Sequence, residues 1–450
     1  MADLVPTDPS RGRAAPSVAT PAATALVVAD MIGVGVFTSL GFQVSDIQSG
    51  FGLLLLWGIG GLVALCGAFS YAELATMFPR SSGEYTYLTR AYGPALGFMA
   101  GWLSATVGFA APVALAAMAF GQYAKAFHPA APALPLGLAI IWAVTAIRVA
   151  GGRFGEAFQV GSTLLKLLLI VAFIGAGLAT GGGPPVSFAP GAFDPAQVFS
   201  TGFAVSLVFV MYAYSGWNAA TYIAGDLADP HDSLPRALFL GTGLVVVLYV
   251  ALNAVFLYTT PLNELAGQID VALISGRHVF GADGGRVVGA VICFGLIPTI
   301  GAMMWIGPSV TATMGEDMPL LRIFARRTRG GAPAAAILFQ CLVASLLLLT
   351  QSYAAVLEFI QFGLTLCAFL AVLGLIKLRI TEPHLPRPYR AWGYPVTPII
   401  FLSVTLFMLV YLVAARPIQS LCGLGLMLLG LALYAVARAQ ARREAGRRAA

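Results

Sequence analysis

Asp30-Met-Ile-Gly-Val-Gly-Val-Phe-Thr-Ser39 interrupts a long apolar run with one acid and two glycines. A glycine inside a helix costs about 1 kcal/mol relative to alanine, and an acid among apolar residues is costlier still. The surroundings make the interruption conspicuous. Of 450 residues, 59% are hydrophobic and only 10% charged, and the mean hydropathy is +0.86. A soluble chain of this length needs a charged surface that this one lacks. Stretches such as 51–70 and 238–257 carry no charge and reach the roughly 20 apolar residues that a bilayer crossing takes. The composition specifies an all-α polytopic membrane protein.

Apolar segments fall near 22–45, 50–76, 93–123, 133–150, 158–179, 197–223, 236–260, 286–312, 334–351, 355–377, 394–414 and 418–437. They predict 12 transmembrane helices. With both termini cytoplasmic, the 25 Lys and Arg divide unequally: Lys125, Arg277, Arg286 and Arg416 fall outside, Lys166 lies within a span, and all others fall inside. That asymmetry agrees with the positive-inside rule. It also accounts for the net charge of +6 as loop charge facing anionic lipid, with no need of nucleic acid. The five cysteines all lie in apolar segments and are read as packing residues rather than disulfides. Residues 1–20 are polar, rich in Pro, Ala and Arg, and expected to be disordered. The first apolar segment is long and interrupted, unlike a cleaved signal peptide. Residues 438–450 form a basic cytoplasmic tail.

In lipid, unwound backbone is tolerated only where it lines a cavity or is buried in protein. Gly33 and Gly35 make unwinding cheap. Five spans later, Tyr212-Ala-Tyr-Ser-Gly-Trp-Asn218 interrupts another span with Ser215-Gly216. Small residues in membrane helices commonly serve as packing contacts. A matched pair five spans apart points instead to an inverted-repeat transporter, with repeats near 22–180 and 197–377. A broken helix offers free N–H groups to an anion on one side and free carbonyls to a cation on the other. Two such breaks can hold a zwitterion, for which an α-amino acid is the obvious candidate.

The chain resembles the amino acid–polyamine–organocation (APC) superfamily, and within it bacterial relatives of the L-type amino acid transporters. Gly33-Val-Gly-Val-Phe37 stands at the family's first-span break. Tyr71-Ala-Glu-Leu-Ala75 with Phe78-Pro-Arg-Ser-Ser-Gly-Glu-Tyr-Thr-Tyr87 is similar to its segment between spans 2 and 3. Ser215-Gly-Trp-Asn218 and Asp229-Pro-His-Asp-Ser-Leu-Pro235 resemble its sixth span and following loop. Arg387-Pro-Tyr-Arg390 and Gly393-Tyr-Pro395 resemble its approach to span 11. The fold implied is of the LeuT type: a core over 21–392 of two inverted five-helix repeats, with spans 1 and 6 broken, plus two peripheral helices over 393–437.

The resemblance also implies roles. Amides around Gly33, Val34 and Gly35 would hold the substrate carboxylate. Carbonyls of Ile32, Tyr212, Ala213 and Ser215 would receive its ammonium. Tyr212 would act as an aromatic gate, and Gly216, Trp217 and Asn218 would complete the pocket. Lys166, deep in the fifth span, would place its ammonium against the carbonyls of Ala29 and Ile32, where relatives bind sodium. Coupling would then be sodium-independent, by proton symport through Lys166 or by exchange of amino acids. The family's arginine after span 8 is Ser309 here, which puts the inner-gate contacts in doubt. The family's cysteine for a disulfide-linked heavy subunit is missing from 123–134, so none is expected.

Asp30 precedes the break by one helical turn, and the resemblance assigns it no role. It could pair with Lys166, titrate, bind a cationic substrate, or simply bond to a polar neighbour. Glu73 and Glu84 read as loop or gate contacts, Glu358 as an outer-rim residue, and all four histidines as loop residues. No metal-ligand spacing, phosphate loop or nucleophile–base pair appears, so neither a cofactor nor an enzyme is expected. The reading is a secondary amino acid transporter of small or medium neutral substrates in a bacterial cytoplasmic membrane. Its rivals are a polyamine or cationic amino acid carrier using Asp30, and a receptor that binds without transport.

Overall fold

Proline at the first turn starts a helix at Thr20, and the glycines of the opening motif stop it after Met31. The computed structural model describes residues 18–126, 130–150, 152–180, 186–190, 195–268, 270–281, 283–415 and 417–449. Residues 1–17, His128 and Arg416 lie outside the described residues, as do the side chains of Arg153, Glu358 and the arginines beyond 441. The end of the segment expected to be disordered is ordered. Val18 donates its amide to Asp226 O at 3.1 Å and bridges to Leu227. Among the described residues, no other β-pairing occurs.

The remaining regular structure among the described residues is helical. In chain order the α-helices are α1 (Thr20–Met31), α2 (Gly35–Gln43), α3 (Gly50–Met77), α4 (Glu84–Tyr92), α5 (Pro94–Leu103), α6 (Ala110–Ala124), α7 (Ala133–Ala150), α8 (Gly152–Ala179) and α9 (Thr201–Ala213). There follow α10 (Pro230–Thr259), α11 (Leu262–Leu265), α12 (Val271–Phe280), α13 (Gly284–Asp317), α14 (Ala334–Leu349), α15 (Tyr353–Thr381), α16 (Val396–Ala415) and α17 (Pro417–Ala449). Among the described residues, ten helical stretches are long and apolar enough to cross a membrane. Each of the twelve expected segments falls on helix, but two fall short of that length. The sixth is broken after the 13 residues of α9, and α14 has 16. Outward faces carry exposed Leu168, Val247, Leu346 and Ile418, the side chains a lipid-facing surface presents. This is a multi-pass, all-helical membrane protein.

Three features depart from simple spans. A π-helical turn over Ser104–Gly108 separates α5 from α6. Such turns commonly re-aim a helix at a functional site, and here the turn carries Gly108 and Phe109 to a cavity wall. The sixth span does not resume as an α-helix after its break but as a short 3-10 run, Ala219–Asp226. The loop after α10 contains α12, whose apolar period is too brief to be seen in the sequence.

Packing gathers the helices into two groups. In one, α10 lies along α3 and α1, and α9 joins them through α2 and α3. In the other, α13 packs with α6, α7 and α14. Helix α8 touches both groups, through α1 and α10 on one side and α13 on the other. The two broken helices meet where the groups face each other.

Candidate functional site

Helix α1 ends at Ile32, whose backbone leaves the helical region at φ −76°, ψ 77°. Its last carbonyls then need donors, because the following chain supplies only the Gly33 amide, to Met31 O at 2.8 Å. Other helices provide them. Lys166 Nζ, on α8, lies 2.5 Å from Ile32 O and 3.3 Å from Ala29 O. It also donates to Thr299 Oγ1, on α13, at 2.7 Å. That hydroxyl in turn lies 2.9 Å from Ile32 O and 3.1 Å from Ala29 O. Tyr249 Oη, on α10, lies 2.5 Å from Met31 O and 3.0 Å from Ala213 O, tying the two breaks together. The ammonium of Lys166 is thus a fixed cation at a helix C-terminus, with the electrostatics such an end favours.

Helix α2 starts at Gly35 with no side chain capping its first amides. Its N-terminus is therefore open to an anion. Gly35 is a point of close approach between the breaks: a Cβ there would sit 2.7 Å from Ala213 Cα. Val34 and Thr38 on this side line a second, larger cavity with Gln122 and Asp270.

The second break is closed locally. Tyr214 N–H donates to Val210 O at 2.9 Å, and Ser215 donates to Tyr212 O through both its amide (3.0 Å) and its hydroxyl (2.7 Å). Gly216 turns the chain at φ +100°, a conformation that side chains rarely adopt. Its Cα faces Asp30, and a Cβ would lie 2.7 Å from Asp30 Oδ2.

Beside this break lies a cavity of about 110 Å³, walled by Asp30, Ser215, Gly216, Trp217 and Asn218 together with Phe109, Gln361, Thr365 and Phe401. Trp217 stands edge-on to Tyr71 at 4.7 Å and to Phe401 at 5.7 Å. Asn218 Nδ2 donates to Glu84 Oε1 at 3.0 Å. Glu84, which the sequence placed in a loop or gate, belongs to the cavity wall. Its carboxylate accepts from Tyr71 Oη at 2.8 Å, from Asn218 and from Tyr222 Oη. Glu84 is thus a second acid beside the breaks, with Asp30. Tyr212 is half-buried and packs against the apolar core, whereas Trp217 stands in the cavity wall.

Towards the ends of α3 and α13, Arg80 grips Asp317 through two nitrogens at 2.9 and 2.7 Å, and Tyr85 Oη joins it at 2.7 Å. Thr313 Oγ1 donates to Ser81 O at 2.9 Å, and Ser81 Oγ accepts from Gly225 N–H at 3.0 Å. These bonds close the same end where the expected arginine is replaced. Ser309 instead donates to Trp305 O within α13. Glu73 is fully buried and held by Arg379 at 2.9 and 2.5 Å, with the Ala391 amide at 2.6 Å. It ties α3 to α15 and the approach to α16.

Tyr249, Thr299, Gln361 and Thr365 carried no signal in the sequence. Each is an ordinary polar residue in a mostly apolar helix, where a packing role and a site role look the same. The cysteines are all free among the described residues, four buried and Cys422 exposed.

Comparison with known proteins places this arrangement. The b(0,+)-type amino acid transporter 1 of Mus musculus is 28% identical over 402 residues, covering 87% of this chain and 81% of that one. The Homo sapiens protein of the same name is 27% identical over 402 residues. Large neutral amino acids transporter small subunit 2 of Oryctolagus cuniculus is 28% identical over 449 residues, covering 92% of this chain and 78% of its own. A model of the family described as amino acid permease matches residues 19–421. That match spans both breaks, the lysine between them and most of the helices described above. The chain belongs to the amino acid permease family, within the APC superfamily.

Proposed function

We propose that this protein is a secondary transporter of amino acids, working by alternating access and without sodium. The substrate backbone sits between the breaks, its carboxylate on the uncapped amides around Val34 and Gly35 at the start of α2, the Gly33 amide being held by Met31 O at 2.8 Å. The single observation that carries the reading is the ammonium of Lys166 on the carbonyls of Ala29 and Ile32. A fixed cation there takes the place a sodium ion would need. Coupling then runs by proton symport through Lys166 or by exchange. An exchanger moves only when loaded, whereas a symporter returns empty after releasing its proton.

Family and relatives both favour a transporter over an enzyme. In our reading the helices make twelve spans with both termini cytoplasmic, as the arginine asymmetry asks, in a bacterial inner membrane. Residues 22–180 and 197–377 form the two inverted repeats of the core, and 393–437 the peripheral pair. One relative is by its name a small subunit. This chain has no cysteine between 123 and 134 and is not disulfide-linked to a heavy subunit in this reading.

Uptake of labelled amino acids into proteoliposomes tests the proposal, with an inward proton gradient, with amino acid preloaded, and with neither. Accumulation in empty vesicles that needs the gradient and is lost in Lys166→Ala establishes symport through Lys166. Uptake confined to preloaded vesicles establishes exchange. A requirement for sodium, or saturable binding without uptake, would overturn the mechanism proposed.

A further inference from the structure

The segment joining α13 to α14, residues 318–333, holds four arginines and no acid. It leaves α13 as a 3-10 run over Pro319–Ala325. In such a run residues three apart lie one above another, so the side chains sort into rows. Leu321 and Phe324 form an inward row: Leu321 packs on the core, and Phe324 meets Phe339 of α14 with ring centroids 5.3 Å apart. Leu320 and Ile323 form an outward row, 41% and 56% exposed, which Arg326 continues. Arg322 and Arg329 are exposed as well. The backbone beneath is closely seated. A Cβ on Gly315 of α13 would come 2.6 Å from Leu321 O, and one on Gly330 would come 3.0 Å from Ala150 O of α7.

The arginines at this end of the molecule divide by partner. Arg80 is spent on Asp317, and Arg379 and Arg387 are spent on Glu73. Arg327 lies 4.0 Å from Glu316 and donates to Gly331 O at 3.1 Å. Arg322, Arg326 and Arg329 form no ion pair among the described residues. Three free guanidiniums therefore share one short segment with two apolar side chains that face outward. A small inorganic anion would meet the charges and leave Leu320 and Ile323 uncovered. Neutral acyl chains would do the opposite. An anionic phospholipid supplies both halves, a phosphate that matches the guanidinium fork and chains that cover the apolar row.

We infer that this segment is a binding site for an anionic phospholipid. Its headgroup docks on Arg322, Arg326 and Arg329, and its chains lie over Leu320 and Ile323. Asp317, the last residue of α13, directly precedes the segment and holds Arg80. The lipid thus sits on the stretch of chain that carries one half of that clasp. The site goes beyond the amino acid reading and does not depend on it.

Thermal unfolding of the full chain in a non-ionic detergent tests the site. Short-chain phosphatidylglycerol, phosphatidylcholine of the same chain length, or inorganic phosphate is titrated in. Phosphatidylglycerol is expected to raise apparent Tm saturably, as a ligand of the folded state does, and the other two to leave it unchanged. Combining Arg322→Gln, Arg326→Gln and Arg329→Gln should raise the half-saturating concentration by roughly tenfold or more. Ile323→Ser keeps every arginine and should raise it by roughly threefold or more. Arg442→Gln with Arg443→Gln, in the basic tail, controls for unspecific charge and should change nothing. Size-exclusion profiles show that each variant is folded. Equal stabilisation by phosphatidylcholine or by inorganic phosphate overturns the inference, as does a tail variant that loses as much as the triple one. A triple variant or an Ile323→Ser protein that saturates at the wild-type concentration overturns it too. Uptake of amino acids is measured separately, and its failure would leave the lipid site standing.

Discussion

The two breaks solve one problem in opposite ways. At the first, between α1 and α2, the freed carbonyls are satisfied from outside: Lys166 from α8, Thr299 from α13 and Tyr249 from α10. At the second, after α9, they are satisfied mainly from within a few residues, by Tyr214 and Ser215, with Tyr249 of α10 reaching only Ala213 O, and the chain turns on a positive-φ glycine. A break capped by distant helices changes whenever those helices move relative to one another. A break closed by its own neighbours travels as a rigid piece. The first is therefore the place where a conformational cycle can be coupled to an ion or proton, and the second is a fixed wall.

If that contrast holds, substitutions at the second break act through local strain and those at the first through the cycle. Gly216→Ala should be the most damaging of all. The backbone there disfavours a side chain by about 1–3 kcal/mol. In addition, the new Cβ would meet the backbone carbon of Asp30 and the amide of Met31 at 2.9 Å. We expect a loss of monodisperse protein in detergent, or the largest fall in apparent Tm of the series. A variant as stable as wild type would show that the turn is not fixed. Lys166→Met should do the reverse. Thr299 still reaches Ile32 O and Ala29 O, and a desolvated charge is removed, so apparent Tm should move by only a few degrees. Uptake should fall by roughly tenfold or more, as expected of an intramembrane charge kept for function. Full uptake in this variant would end the coupling role.

Thr299→Val comes next. It leaves the Lys166 ammonium with one acceptor fewer in a buried place, at a cost of about 1.5–3 kcal/mol. Thermal unfolding in detergent reads this directly, and no change would mean that the hydroxyl is not part of the cap. Tyr249→Phe removes one proton shared between two carbonyls. Met31 O keeps the Gly33 amide at 2.8 Å, so the loss falls on Ala213 O and amounts to about 1–2 kcal/mol. The sharper readout is uptake, since the hydroxyl joins the breaks to each other.

How much of this was readable from residues alone follows the same division. The existence and order of the helices were readable, because long uncharged runs admit no other structure in lipid. Both breaks were readable too, since Gly33, Gly35 and Ser215-Gly216 are anomalies against that background. Lys166 stood out for the same reason. What stayed hidden were partners whose residue types are ordinary. Nothing distinguishes Thr299 from the threonines that bond their own helix, and nothing in α10 marks Tyr249. Glu84 read only as a loop or gate contact, because it follows a loop motif in sequence, and the bonds that turn it inward to Asn218 and Tyr222 were hidden. The π turn in the third span and the 3-10 form of the sixth were invisible as well, since both depend on packing rather than on a residue that commands them.

The smallest expected effect is the one that separates the two breaks most cleanly. Ser215→Ala deletes a hydroxyl that donates to Tyr212 O at 2.7 Å, but the Ser215 amide keeps the same carbonyl at 3.0 Å. No group is left unsatisfied, and the side chain is only half-buried. The net cost should stay near 0.5–1 kcal/mol, the ordinary worth of one neutral hydrogen bond. A shift in apparent Tm smaller than that of Thr299→Val, measured side by side, is the expected outcome. A larger shift would mean that the second break also leans on this hydroxyl to hold its turn. The division between a break held from afar and one held at home would then have to be withdrawn, because both would depend on single side chains to the same degree.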